Sequence, residues 1–66
     1  MKTLKQIRAD GRVYEVRNVG GEDFNEGIKY EISLKDGFVF DDGSSLAYAE
    51  SIADLNTLLE EATERR

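Results

Sequence analysis

The chain predicts an α+β fold: a small antiparallel β-sheet of three to five short strands, built from β-hairpins, with one C-terminal α-helix packed on one face. Three observations predict it. Ile28, Tyr30, Ile32 and Leu34 alternate with Lys29, Glu31, Ser33 and Lys35, the period-two pattern of a strand with one apolar face. The tripeptides Ala9-Asp10-Gly11, Lys35-Asp36-Gly37 and Asp41-Asp42-Gly43 each place Asp before a Gly able to take positive φ, the chemistry of a hairpin loop. Finally, Ile52, Leu55, Leu58, Leu59 and Ala62 fall on one helical stripe.

At the N-terminus, a loop at 9 to 11 pairs Ile7 with Val13, Lys5 with Glu15 and Leu4 with Val16, giving two apolar pairs and one of opposite charge. The rival is a short helix ending at Gly11, with Thr3 and Gln6 as its capping box; two turns are weak alone, which favours the hairpin. Residues 18–27 form a polar connection around one aromatic, Phe24. At 35 to 37 a three-residue loop with Gly37 left-handed pairs Leu34 with Phe38 and keeps the apolar face intact, whereas a two-residue loop flips the register. Leu46 and Tyr48 form a short extra strand or already begin a helix.

Ser51 caps that helix, three residues before Asp54, and Asp54, Thr57, Glu61 and Glu64 lie opposite the apolar stripe. Arg65 and Arg66 suit the negative end of the helix dipole, and Glu61 with Arg65 is a favourable i,i+4 pair. The expected core is Leu4, Tyr14, Val16, Ile28, Tyr30, Ile32, Leu34, Phe38, Phe40, Leu46, Ile52, Leu55, Leu59 and Ala62. One sheet face stays in water.

Composition removes most reaction chemistry. The 66 residues contain no His and no Cys, so there is no side chain that titrates near neutrality unperturbed, no thiolate nucleophile and no zinc site of the usual kind. A single domain below about 70 residues usually needs a staple, a metal or an oligomeric partner, which keeps self-association open. No leader-like apolar run follows Met1-Lys2, and no apolar run approaches the roughly 20 residues that span a bilayer, so a cytoplasmic protein without membrane contact is expected.

Charge is lopsided. Residues 1 to 17 carry five cations against two acids, +3, and residues 18 to 66 carry twelve acids against four cations, −8, which gives the net −5. That balance disfavours direct nucleic-acid binding and favours a basic partner.

Asp41-Asp42-Gly43-Ser44-Ser45 looks like calcium-loop chemistry, but aligning Gly43 with the obligatory glycine puts Phe38 and Phe40 at ligand positions and Ala49 where Glu is required. A turn capped by Asp fits better. Gly20-Gly21 lacks the Lys and Ser/Thr of a phosphate loop. Acid pairs need a cleft that so small a chain hardly encloses, and Lys29 and Lys35 alternate onto the solvent face of their strand, which disfavours a Ser-Lys arrangement. No enzyme, cofactor or metal site is expected.

The positive signal is a set of acids, Asp41, Asp42, Glu50, Asp54, Glu60, Glu61 and Glu64, on a rigid helix and an adjoining turn. Such a surface can occupy a basic groove on another protein, or simply keep the chain soluble. Tyr14, Phe24, Val39 and Tyr48 are candidates to lie outside the core, and Phe24 either anchors a partner or pins its own loop.

The general form, a tiny acidic domain without catalytic residues, resembles phage- or mobile-element-encoded inhibitors. That resemblance implies an inhibitor or adaptor, a nucleic-acid mimic acting against a host nuclease or CRISPR-type complex. Two alternatives are an assembly subunit that self-associates through its sheet, and a weak nucleic-acid binder using Lys2, Lys5, Arg8, Arg12 and Arg17 of a basic N-terminal hairpin.

Overall fold

A computed structural model describes residues 1–20 and 27–65 and shows an α+β domain. The elements are α1 (Leu4–Arg8), β1 (Val13–Asn18), β2 (Tyr30–Leu34), β3 (Phe38–Val39), β4 (Leu46–Ala49), α2 (Ile52–Glu61) and β5 (Thr63–Glu64). Strands β1, β2 and β4 form an antiparallel sheet in that order, and β3 pairs antiparallel with β5. Helix α2 sets Leu55 and Leu59 into the core on one face of the three-stranded sheet, against Val16, Ile32, Leu34 and Ala49.

The N-terminal hairpin is replaced by the helix. Thr3 Oγ1 accepts the Gln6 N–H at 3.2 Å and Gln6 Oε1 accepts the Thr3 N–H at 2.8 Å, a complete capping box. Two turns suffice because tertiary contacts hold them: Ile7 is 0% exposed in the core, and Leu4 packs against it from the same face. Residue Asp10 makes a side-chain turn, its Oδ1 accepting the Arg12 N–H at 2.9 Å, so Gly11 takes no positive φ.

β1 contains a bulge. The register steps from Val13↔Leu34 to Glu15↔Ser33, leaving Tyr14 as the extra residue. Val13 and Val16 sit three apart and would face opposite sides of a regular strand; the bulge turns both inward and leaves Tyr14 72% exposed. Tyr14 therefore leaves the expected core, and so does Leu46, which points from β4 to solvent. Ile7, Val13 and Ala49 join the core instead.

Gly37 takes φ 95° and the Phe38 N–H donates to Lys35 O at 3.2 Å, so the expected turn forms. The expected hairpin does not. β2 already has β1 on one edge and β4 on the other, with Lys35 N–H on Arg12 O and Leu34 N–H on Ser45 O, so Phe38 has no edge to return to. β3 leaves the sheet and pairs with the C-terminal β5, Phe38↔Glu64 and Val39↔Thr63.

α2 begins as expected, with Ser51 Oγ accepting the Asp54 N–H at 3.2 Å. Its end differs. The helix stops at Glu61, Ala62 is extended at φ −73°, ψ 125°, and Thr63–Glu64 is strand, so Glu61 and Arg65 have no i,i+4 relation. The cation at the negative end is Arg12, whose Nη1 donates to Leu59 O at 3.1 Å and Ala62 O at 3.0 Å.

Arg12 also pairs with Asp10, Nε to Oδ1 at 3.0 Å and Nη2 to Oδ2 at 3.1 Å, and Lys2 Nζ adds a bond to Oδ2 at 2.6 Å. The Asp10 side chain is only 8% exposed. Hydrogen bonding to Arg12 foremost, then to Lys2, holds the Asp10 carboxyl well below the usual carboxylate range despite burial, and Asp10 in turn raises Arg12. The N-terminal segment is tied to α2 as well: Lys2 N–H donates to Asn56 Oδ1 at 2.8 Å and Asn56 Nδ2 donates to Lys2 O at 2.9 Å.

Three outcomes follow. Arg12→Ala, which removes donors from Asp10, Leu59 O and Ala62 O, is expected to cost about 2 to 4 kcal/mol, or roughly 15 to 30 °C in Tm for a domain this small, by thermal melting. Because the folded pKa of Asp10 is lowered, its contribution is complete above the unfolded value of about 4 and is lost as pH falls below it. Denaturant titrations from neutral pH downward should show a flatter acid limb in Asp10→Asn. Gly37→Ala, at φ 95°, should cost about 1 kcal/mol, while Gly11→Ala should lie within about 0.5 kcal/mol of neutral.

Candidate protein-binding surface

The turn after β3 is shaped by its own side chains. Asp42 Oδ1 accepts the Ser44 N–H at 3.0 Å and the Ser44 hydroxyl at 2.6 Å, with Gly43 left-handed at φ 84°. These two bonds to Ser44, the hydroxyl's first, lower the Asp42 pKa, so the carboxylate is fixed in place and charged. Phe40 sits at the base of the turn, buried, its N–H on Ser44 O at 2.7 Å.

Across from this turn stands α2. Its Leu58 and Glu61 join Phe40, Asp41, Asp42 and Ala47 around a shallow depression of about 170 Å³. The floor is apolar and the rim is acidic. On α2, Leu58 and Glu61 stand at i and i+3, which sets the carboxylate beside the apolar residue.

The other expected surface residues disperse. Asp54 is drawn into the helix start, its Oδ2 accepting the Glu50 N–H at 3.3 Å, and the exposed Glu50 lies with its carboxylate against Gly27. Glu60 faces a different groove, between the N-terminal segment and α2, beside Lys2, Gln6 and Arg12. Glu64 sits on β5 opposite Phe38. Phe24 lies outside the described residues. Among the described residues, no group of three or more His, Cys, Asp or Glu is arranged to hold a metal ion.

The basic N-terminal residues do not form one patch. Lys2 and Arg12 bind Asp10, Arg8 donates through Nε and Nη2 to Val16 O at 3.2 and 3.0 Å, and Arg17 reaches Glu31 at 3.5 Å. Arg8 thereby covers the outer edge of β1, where an open carbonyl would otherwise invite another strand.

Asp41, Asp42 and Glu61 are among the acids expected at the surface, whereas Phe40, Ala47 and Leu58 were not expected beside them. Leu58 was legible as part of the helical stripe, and Phe40 as the residue before Asp41, but no local signal brings the 40–42 turn against the last turns of α2. No family model, curated protein or solved structure matches the chain. Among the described residues, no helix is long and apolar enough to cross a membrane.

Proposed function

We propose that this protein is a non-enzymatic binding module, an inhibitor or adaptor that engages a cytoplasmic partner protein through the partner's basic surface. The observation that carries the reading is the convergence of Asp41, Asp42 and Glu61 around Phe40, Ala47 and Leu58. Carboxylates on a capped turn and a rigid helix present negative charge at fixed spacing, as a nucleic-acid strand presents phosphates. Partners built to hold phosphates, including nucleases and CRISPR-type complexes, are the class such a surface fits, with fast association steered by opposite potential. The apolar floor adds contact area for the methylene stems of the partner's Lys and Arg side chains.

The cleanest variant is Asp41→Lys/Glu61→Lys, since neither side chain holds a cap, unlike Asp42 and Asp54. Immobilised wild-type protein should retain basic nucleic-acid-binding proteins from a lysate, and both raised salt and added duplex DNA should release them. The double variant, folded by circular dichroism, should retain at least tenfold less of them. Equal retention by both proteins, or retention indifferent to DNA, contradicts the proposal.

A further inference from the structure

The face of the three-stranded sheet turned away from the core carries two cross-strand rows. The register sets Arg17, Glu31 and Tyr48 in one row and Glu15, Ser33 and Leu46 in the next. The Arg17–Glu31 ion pair confirms that these side chains share a face. Leu46 and Tyr48, 45% and 46% exposed, are two of the four exposed large apolar residues among those described. Among the described residues, no helix covers this face, since α2 packs on the other and α1 lies against β1 with Ile7 in the core.

We infer that this face is the interface between two copies of the chain, related by a two-fold axis lying in the plane of the interface and running across the strands. That operation lays each strand antiparallel over its own copy and exchanges the two rows. Arg17 then meets the second copy's Glu15, Glu31 meets Ser33, and Tyr48 meets Leu46, each contact occurring twice. The axis parallel to the strands would instead set Glu31 on Glu31. Stacked sheets lie about 10 Å apart, a gap that Arg, Glu and Tyr side chains bridge from both sides.

Charge distribution supports the same occupant. By alternation the face holds three cations, Arg17, Lys29 and Lys35, against two acids, Glu15 and Glu31, so it is the near-neutral side of a molecule with net charge −5. Two copies meeting here keep the Asp41, Asp42 and Glu61 rims on the far sides, where their mutual repulsion is least. Lys29 of one copy faces Lys35 of the other at the two ends of the stack, where exposed stems turn to solvent. The projected area, on the order of 300 Å² per copy, is well below the roughly 800 Å² per partner of a standard interface, so the dimer is a weak one. It presents two acidic rims back to back, a bivalent ligand for a partner with two basic sites.

Sedimentation equilibrium of the full chain from about 10 μM to about 2 mM tests this. The weight-average mass should rise from 7.4 kDa towards twice that value and no further. Glu15→Arg and Arg17→Glu should each weaken dimerisation at least tenfold, and combining them should recover most of the loss, because the exchanged pair re-forms across the axis. Leu46→Asp should be monomeric and Asp41→Lys/Glu61→Lys should dimerise like wild type, with circular dichroism confirming each fold. A monomer throughout, growth beyond a dimer, or a charge-exchanged variant no better than its parents overturns the inference. So does loss of the dimer in the rim variant, which would move the interface to the acidic face.

Discussion

The guanidinium of Arg12 reaches in two directions, to the carboxylate of Asp10 beside it and to the carbonyls of Leu59 and Ala62 at the end of α2. A helix end leaves carbonyls without intrahelical partners, and a nearly buried carboxylate needs donors; one planar fork satisfies both. Lysine could not, having a single charged nitrogen on a flexible stem. With Lys2 on Asp10 and on Asn56, the first dozen residues become a strap that fixes α2 over the sheet. A 66-residue chain without disulfides depends on such long-range closure, since local elements of two turns or two residues are too short to persist alone.

From that closure the two surfaces follow. α2, held at its C-terminus by Arg12, places Leu58 and Glu61 against the 40–42 turn and so assembles the acidic rim. Four cations are engaged elsewhere: Lys2, Arg8 and Arg12 serve the N-terminal region, and Arg17 pairs with Glu31. The molecule is thus negative on its helix side and mixed on its open sheet side. The proposed basic partner would be drawn to the first; the second would suit a surface whose charges alternate as its own do.

Patterns confined to one element were legible in the sequence. The alternation from Ile28 to Leu34 became β2 from Tyr30 onward, Ser51 became a cap, and Gly37 and Gly43 took positive φ because their turns demand it. What depends on distant segments was not legible. The Thr3–Gln6 box favoured a helix, but its preference over a hairpin was decided by Ile7 reaching the core and by Asn56, far along the chain. Tyr14 reads both as a core aromatic and as a candidate to lie outside it, and the bulge decides for the outside because Val13 and Val16 claim the inward positions. The loop at 35–37 promised a hairpin, and only the occupation of both edges of β2 sends Phe38 elsewhere. The acids of the candidate site were identifiable by type, yet which of them converge was fixed by the path from β3 to α2.

The view that the Arg12 strap makes the whole chain one cooperative unit is tested most directly by native-state amide hydrogen exchange. Ile7 in α1, Ala62 at the end of α2 and Ile32 in the central strand should open with the same free energy, equal to that of global unfolding. Exchange at Ile7 or Ala62 through a separate, much lower-energy opening while Ile32 stays protected would contradict the account, because the strap would then be an appendage to an independently stable sheet.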